Sequence, residues 1–534
     1  MRFYQQYKLN IYSVILFLML YSCAQQKPLT GGDKDINPPK EKESNPSNLS
    51  TNFNETKVVI EFDEFIQLRN LKSQLIVSPL MNPEPKIMVK GKKLVITLPD
   101  SLSPNTTYSI NFGEAISDIT EFNPFLNYKY VFSTGSFLDS LSYSGTVVNA
   151  EDLTPQKEIF VLLYENATDS TPYLEKPKYV ALTDKEGHYE ITNIATGDYK
   201  IFALKDINHN YLFDLPNEEI AFKKELISLN ESSTDNRLEL FEEDNQLQYV
   251  KKSSYKNYGE FKIEFNKPVA NFKVSLLDSK LQSSSFLFEG NISQTNFTCW
   301  TTDLDSLKKV QLIFYDGKEI IDTVKFKRSS KIIFSDTISK VSTNVSASFD
   351  LNKNIIIALK RPFLSYEPDS ILFYEDSVLV SAVFSETSLK EFELAYDFKE
   401  NTNYQLFIPP GTFTDIYGLQ NDTIFKQFKT KENSDYGIIN LNLTPNFTDN
   451  YILQLYRGNN LIDEQFFTGT QNISYNFLTP GDYEFKMILD KNNNKKWDTG
   501  KYLENVQPEE VIYYEKPIKI RANWDNDIIW TIIE

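Results

Sequence analysis

Two stretches of this chain set an oxygen-bearing side chain at their first, third, fifth and ninth residues: D-K-N-N-N-K-K-W-D, residues 490–498, and D-I-N-H-N-Y-L-F-D, residues 206–214. Calcium takes several oxygen ligands, and a calcium loop supplies them from positions 1, 3, 5, 7 through a backbone carbonyl, and 9. Asp206, Asn208, Asn210, the Leu212 carbonyl and Asp214 fit that register, as do Asp490, Asn492, Asn494, the Lys496 carbonyl and Asp498. Two departures count against metal. Position 6, where such a loop has glycine, is Tyr211 or Lys495, and position 12, where it has glutamate, is Asn217 or Lys501. A site would have to borrow Glu218, Glu219 or Glu504. The competing reading is a long hairpin turn in which Asp and Asn cap their own backbone without an ion. Both readings, Ca2+ and hydrogen-bonded turn, stay open for the two loops.

Catalysis has less behind it. Histidine is the usual proton shuttle near neutral pH, and the chain has two, His188 and His209, both in expected turns. No G-x-S-x-G elbow, H-E-x-x-H helix or phosphate-cradling glycine loop accompanies them. Glu61, Asp63 and Glu64 could be offered as paired carboxylates, but on a strand the first two face one way and the third the other, as on a solvated edge. Cys299, in N-F-T-C-W, reads as a small buried hydrophobe more than as a reactive thiol. The expectation is a protein that is not an enzyme.

The elements that position these residues are strands. Segments of about five residues rich in β-branched and aromatic types recur, among them VVIEF, LVITL, YSINF, IFVLLY, FKIEF, IIIALK and YQLFI, with turn residues between them. FIQLRNLKSQL, from Phe65, is the one stretch with a helical period. The fold class is therefore all-β, a series of tandem β-sandwiches. With 41% hydrophobic and 14% aromatic residues in 534, the chain has apolar mass for several cores. Internal echoes divide it. VVIEFDEFIQL, FKIEFNKPVAN and IIIALKRPFLS look like one strand and bend used three times; NTTYSINF pairs with NTNYQLFI; and GDYKIFALKDINHNYLFD pairs with GDYEFKMILDKNNNKKWD. In the last of these, Tyr483, Phe485, Met487 and Leu489 should face the core, and Glu484, Lys486 and Ile488 the other side. The divisions expected are 1–22 (leader), 23–47 (tether), 48–137, 138–243, 244–340, 341–432 and 433–534.

The N-terminus supplies a location. Arg2 and Lys8 precede an apolar run, residues 11–21, too short to span a bilayer, as in a signal peptide. Leu20-Tyr21-Ser22-Cys23 resembles a bacterial lipobox, which implies that Cys23 is lipidated and becomes the mature N-terminus. The Pro-, Gly- and charge-rich residues that follow read as a tether. Acidic residues outnumber basic ones 73 to 55, a net charge of -18 that repels phosphate backbones, so nucleic acid is excluded as a partner.

The tether P-x-x-G-G-x-x-D-x-x-P-P from Pro28, the I-E-F-D-E-F strand, the N-T-T-Y-S-I-N-F-G block and Y-V-F-S-T-G resemble the SbsA-type bacterial Ig-like domain that opens a group of Bacteroidota outer-membrane lipoproteins; the likeness covers about residues 28–136. The next segment, SGTVVNAED to GDYKIFALKD, is similar to transthyretin-like or carboxypeptidase-regulatory-like sandwiches. The resemblance fades over about 240–430 and returns at the D-x-N-x-N-x-x-W-D-x-G block. It implies an outer-membrane lipid anchor, with the extracellular face favoured over the periplasmic one, and no catalytic residue. Three Asp-Ser/Thr-hydrophobic triplets resemble the O-glycosylation signal of such proteins, at Ser140, Thr323 and Thr337. Two function classes remain. One is a non-catalytic interaction subunit docking on an outer-membrane β-barrel complex for assembly, secretion or transport. The other is a stand-alone surface module binding glycan or peptide; with four tryptophans in the chain, aromatic platforms for sugar are few.

Overall fold

The computed structural model describes residues 34–244, 247–277, 286–290, 295–302, 309–327, 334–445 and 450–532. The protein is all-β, a series of tandem β-sandwiches with only short helical turns among the described residues. By its contacts the chain divides into two units, Met1–Asn149 with Thr154–Leu240, and Ala150–Leu153 with Phe241–Glu534.

The first unit holds two cores. In the first, the strand Lys57–Phe62 alternates so that Val58, Ile60 and Phe62 are buried, each such side chain contributing about 1.5–3 kcal/mol on leaving water. It lies second in a sheet ordered Glu41–Asn45, Lys57–Phe62, Lys93–Thr97, Lys86–Lys90, and the opposing sheet is Ile76–Ser78, Thr107–Asn111, Lys129–Ser133. The helix expected from Phe65 is mostly absent: Ile66–Leu68 is a strand paired with Ile116–Asp118, and only Leu71–Gln74 is helical. Asn70, left-handed at φ 49°, separates the two pieces, so the apolar residues reach the core by strand and turn rather than along one helix face.

The second core of this unit belongs to a sheet ordered Tyr179–Leu182, Phe160–Tyr164, Gly197–Lys205, Glu219–Phe222, Ser233–Glu242, Leu141–Asn149, His188–Ile194. Leu141–Asn149 runs parallel to Ser233–Glu242. The approach is so close that a Cβ on Gly145 would lie 1.7 Å from the Asn236 carbonyl oxygen, which only glycine tolerates.

In the second unit, the C-terminal sandwich repeats that arrangement. Its first sheet is ordered Asn460–Thr468, Asn450–Arg457, Gly481–Asp490, Val511–Tyr513, with Ile518–Ile520 also on Gly481–Asp490. In its second sheet Gly437–Thr444 runs parallel to Asp525–Thr531. The two copies of the G-D-Y sequence thus head equivalent strands, and in each the tyrosine hydroxyl donates to a carbonyl four residues upstream: Tyr199 to Ala195 and Tyr483 to Thr479, both at 2.8 Å. The face of Gly481–Asp490 opposite the main core is covered as well. Tyr483, Phe485 and Met487 enter the main core as expected, but Lys486 and Ile488 are buried too, Ile488 against Ile452, Val511, Trp497 and Tyr513. Burial pulls the Lys486 ammonium below its ordinary pKa.

Two further sandwiches precede it, with cores over 261–326 and 349–428. The remaining copies of the repeated strand, Glu260–Phe265 and Ile355–Leu359, each lie second in a four-stranded sheet, as Lys57–Phe62 does. The N-T-x-Y echo is a tyrosine corner: Tyr108 accepts Ser103 N–H at 2.9 Å and Tyr404 accepts Lys399 N–H at 3.0 Å, both from five residues upstream.

Candidate functional site

The two Asx loops have nearly the same hydrogen bonding. In the first, Asp206 follows directly on the strand Gly197–Lys205 and is 6% exposed. Its Oδ2 accepts Tyr211 N–H at 2.7 Å, Asn208 Oδ1 accepts Asn210 N–H at 3.1 Å, and Asn210 Oδ1 accepts Leu212 N–H at 2.7 Å. The amides of Asn208 and Asn210 donate to the two oxygens of Asp214 at 3.0 and 2.8 Å. In the second, Asp490 ends its strand and is 2% exposed. Its Oδ1 accepts Asn494 N–H at 3.1 Å and its Oδ2 Lys495 N–H at 2.9 Å. Asn492 and Asn494 donate to Asp498, the latter at 2.6 Å. Each loop therefore gathers its expected residues, with Asn492 and Asn494 at the surface.

The absent glycine leaves the backbone shape unchanged. Positions 4 and 6 are left-handed in both loops, at His209 (φ 58°) and Tyr211 (φ 64°) and at Asn493 (φ 59°) and Lys495 (φ 65°). Non-glycine residues hold this conformation at a steric cost, offset here by the N–H bonds of Tyr211 and Lys495 to the leading aspartates. Ring contacts of Phe160 with His209 and Tyr211 support the first loop.

A buried glutamate ties down each loop. Glu218, 1% exposed, accepts Ile207 N–H at 3.1 Å through Oε1, and Asp214 and Leu215 N–H at 3.0 Å through Oε2. Glu509, 5% exposed, takes the same place in the second loop, accepting Lys491 N–H at 2.8 Å and Asp498 N–H at 3.1 Å. Trp497 covers this join by donating its indole N–H to the Glu509 carbonyl at 2.9 Å. Burial raises the pKa of both glutamates above the ordinary value, against the lowering pull of these N–H donors. Of the glutamates expected near the loops, Glu219 instead pairs with Lys205 and Glu504 with Lys501. Glu509 carries no local signal in the sequence. The G-D-Y repeat does not reach it either, because at the repeat's spacing position 218 corresponds to Tyr502; the equivalence of Glu509 to Glu218 is structural.

Among the described residues no group of three or more His, Cys, Asp or Glu is arranged to hold a metal ion. Any ion at these loops would rest largely on amide and backbone oxygens. Cys23 lies outside the described residues. Ser140, Thr323 and Thr337 are all exposed, Thr323 on the strand Glu319–Lys327. Glu61 is spent on Lys93 at 2.8 Å and Lys42 at 3.7 Å, while Asp63 holds Lys40 N–H at 2.8 Å, so they do not form a carboxylate pair. Cys299 is fully buried, and burial pushes its thiol pKa up. Of the four tryptophans, Trp524 is exposed, with the Arg521 guanidinium 4.9 Å from its ring centroid.

Residues 35–134 match the bacterial Ig-like domain family. No curated protein matches the chain. Among solved structures it is similar to the major pilin subunit BcpA of Bacillus cereus (9% identity, TM-score 0.15, 73% of this chain and 99% of that one). It is likewise similar to the Bacteroides ovatus mixed-linkage glucan utilization locus protein SGBP-B (12%, TM-score 0.17, 72% and 92%) and to the titin I-band fragment I67–I69 (13%, TM-score 0.13, 55% and 98%). TM-scores of this size carry neither a shared architecture nor a function over to this chain. The chain is a series of tandem β-sandwiches, of which residues 35–134 are a bacterial Ig-like domain.

Proposed function

We propose that this is a non-catalytic, lipid-anchored cell-envelope protein of the Bacteroidota type, in which a bacterial Ig-like domain and transthyretin-like sandwiches form an interaction subunit that docks on an outer-membrane β-barrel complex. The observation that supports this reading is a pair of sheet-edge strands in the second unit that expose apolar side chains. Asn460–Thr468 ends its sheet with Leu461, Ile462 and Phe466 exposed, and Val378–Val380 ends another with Val378 and Leu379 exposed. Neither edge is an open ladder: Asn460–Thr468 bulges at Ile462, between the pairs Leu455–Asp463 and Tyr456–Leu461, and Val378–Val380 has three residues, and bulges and short edge strands are devices against strand pairing. A partner is therefore expected to pack on the exposed apolar side chains instead of adding a strand. The test is capture of the detergent-solubilised protein from its own envelope, with Ile462→Glu as control. A stoichiometric membrane partner lost in the variant supports docking.

The lipid anchor rests on the lipobox-like Leu20-Tyr21-Ser22-Cys23, and Cys23→Ser should leave the precursor uncleaved or released from the membrane fraction. Membrane partitioning unchanged by that substitution would refute the anchor. Protease shaving of intact cells reads the face: digestion places the protein outward, and full protection places it in the periplasm. Intact mass equal to the peptide mass would reject glycosylation at Ser140, Thr323 and Thr337 together. The competing reading, a module for glycan or peptide, rests on exposed Trp524. Binding of envelope glycans that Trp524→Ala abolishes, with no membrane partner captured, would favour it.

A further inference from the structure

We infer that the Asp206 loop is a calcium site and that the Asp490 loop, its sequence twin, is a turn that needs no metal. The observation that separates them is one oxygen. Asp206 is 94% removed from solvent, taking its 6% exposure, and its Oδ1 has no hydrogen-bond partner. The carboxylate faces into the loop, since its other oxygen holds Tyr211 N–H across the turn. A buried carboxylate oxygen without a donor is costly, and proteins compensate such a group with a hydrogen bond, a counter-charge or a metal. Asp490 has no such vacancy, because each of its oxygens accepts a loop N–H.

Charge points the same way. Residues 206–214 carry Asp206 and Asp214 with no Lys or Arg, for a net of -2 with His209 neutral. Residues 490–498 carry Asp490 and Asp498 against Lys491, Lys495 and Lys496, for a net of +1. A divalent cation is therefore drawn to the first loop and repelled by the second. The remaining donors in the first loop are neutral oxygens. Asn208 and Asn210 each spend one Oδ1 lone pair on a loop N–H, and an amide oxygen has two. Asp214 takes one amide N–H on each oxygen, which leaves further lone pairs on both. A set of two carboxylates, two amide oxygens and the Leu212 carbonyl suits a hard, flexible ion such as Ca2+ and not a transition metal, which prefers nitrogen or sulfur. Both Glu218 oxygens are occupied by backbone N–H donors, so Glu218 buttresses the loop instead of ligating. With water completing the shell, the affinity belongs with extracellular calcium modules, roughly 0.1–1 mM.

The test is calorimetric titration of the full chain with CaCl2, together with melting in CaCl2 and in a chelator. Wild type should bind one equivalent and melt higher with calcium. Asp206→Asn should weaken binding at least tenfold; Asp214→Asn, on an exposed side chain, should do the same and serves if the buried variant fails to fold. Asp490→Ala should bind as wild type does. No heat and no melting shift up to about ten times 1 mM Ca2+ would overturn the site. So would wild-type affinity in Asp214→Asn. Loss of the calcium response in Asp490→Ala would overturn the distinction between the loops.

Discussion

Replacing Glu509 by Ala should loosen the Asp490 loop far more than its distance along the chain implies. The carboxylate accepts Lys491 N–H at 2.8 Å and Asp498 N–H at 3.1 Å, at the two ends of the loop, and it is 5% exposed. Hydrogen bonds to a charged group contribute about 1.5–3 kcal/mol each, so two come to roughly 3–6 kcal/mol. Part of this is offset, because the substitution also removes a carboxyl that burial disfavours in its charged form. The net loss should be about 2–4 kcal/mol, a fall in Tm on the order of 10–20 °C if a sandwich of ~100 residues melts on its own. Hydrogen exchange read residue by residue is the specific assay: the amides of Lys491 and Asp498 should lose protection, while those of Asn494 and Lys495, held by Asp490, should change less. Stability within about 0.5 kcal/mol of wild type, with the two end amides still protected, would refute the reasoning.

Glu509 also gives a pH dependence. Its folded-state pKa is raised above 4.5 by burial, so its contribution to stability is complete below about 4.5 and is lost as pH rises through the folded value. The gain in Tm between pH 7 and pH 4.5 should accordingly be smaller in Glu509→Gln than in wild type, and an equal gain would contradict this. Tyr404→Phe removes the acceptor of Lys399 N–H from a fully buried ring and should cost about 1–3 kcal/mol, seen as a lower urea midpoint at unchanged slope; Tyr108→Phe should behave alike. Cys299 is fully buried with its thiol pKa raised, so a thiol reagent should label it only after unfolding, and rapid labelling of the native protein would contradict that.

The repeats made much of the fold legible in the sequence, because a strand's register is written in its alternation and its corners in fixed residue types. Val58, Ile60 and Phe62, and the tyrosines of G-D-Y and N-T-x-Y, did this locally. What was not legible depends on contacts distant in sequence. The burial of Lys486 and Ile488 depends on a second covered face, formed in part by Val511 and Trp497. Glu509 lies eleven residues beyond Asp498, whose N–H it holds. Phe65 to Leu75 has helical spacing, but the pairing of Ile66–Leu68 with Ile116–Asp118 overrode it. At the loops the residue types left turn and metal undecided; the unpartnered Asp206 oxygen appears only in three dimensions.

The docking claim is tested most directly by cross-linking in intact envelopes, followed by capture of the solubilised protein and mass spectrometry of the cross-linked peptides. The account predicts one outer-membrane β-barrel protein in near-equimolar yield, with cross-links concentrated near the exposed edge strands Asn460–Thr468 or Val378–Val380 and lost in Ile462→Glu. Recovery of the protein without a stoichiometric membrane partner would contradict it.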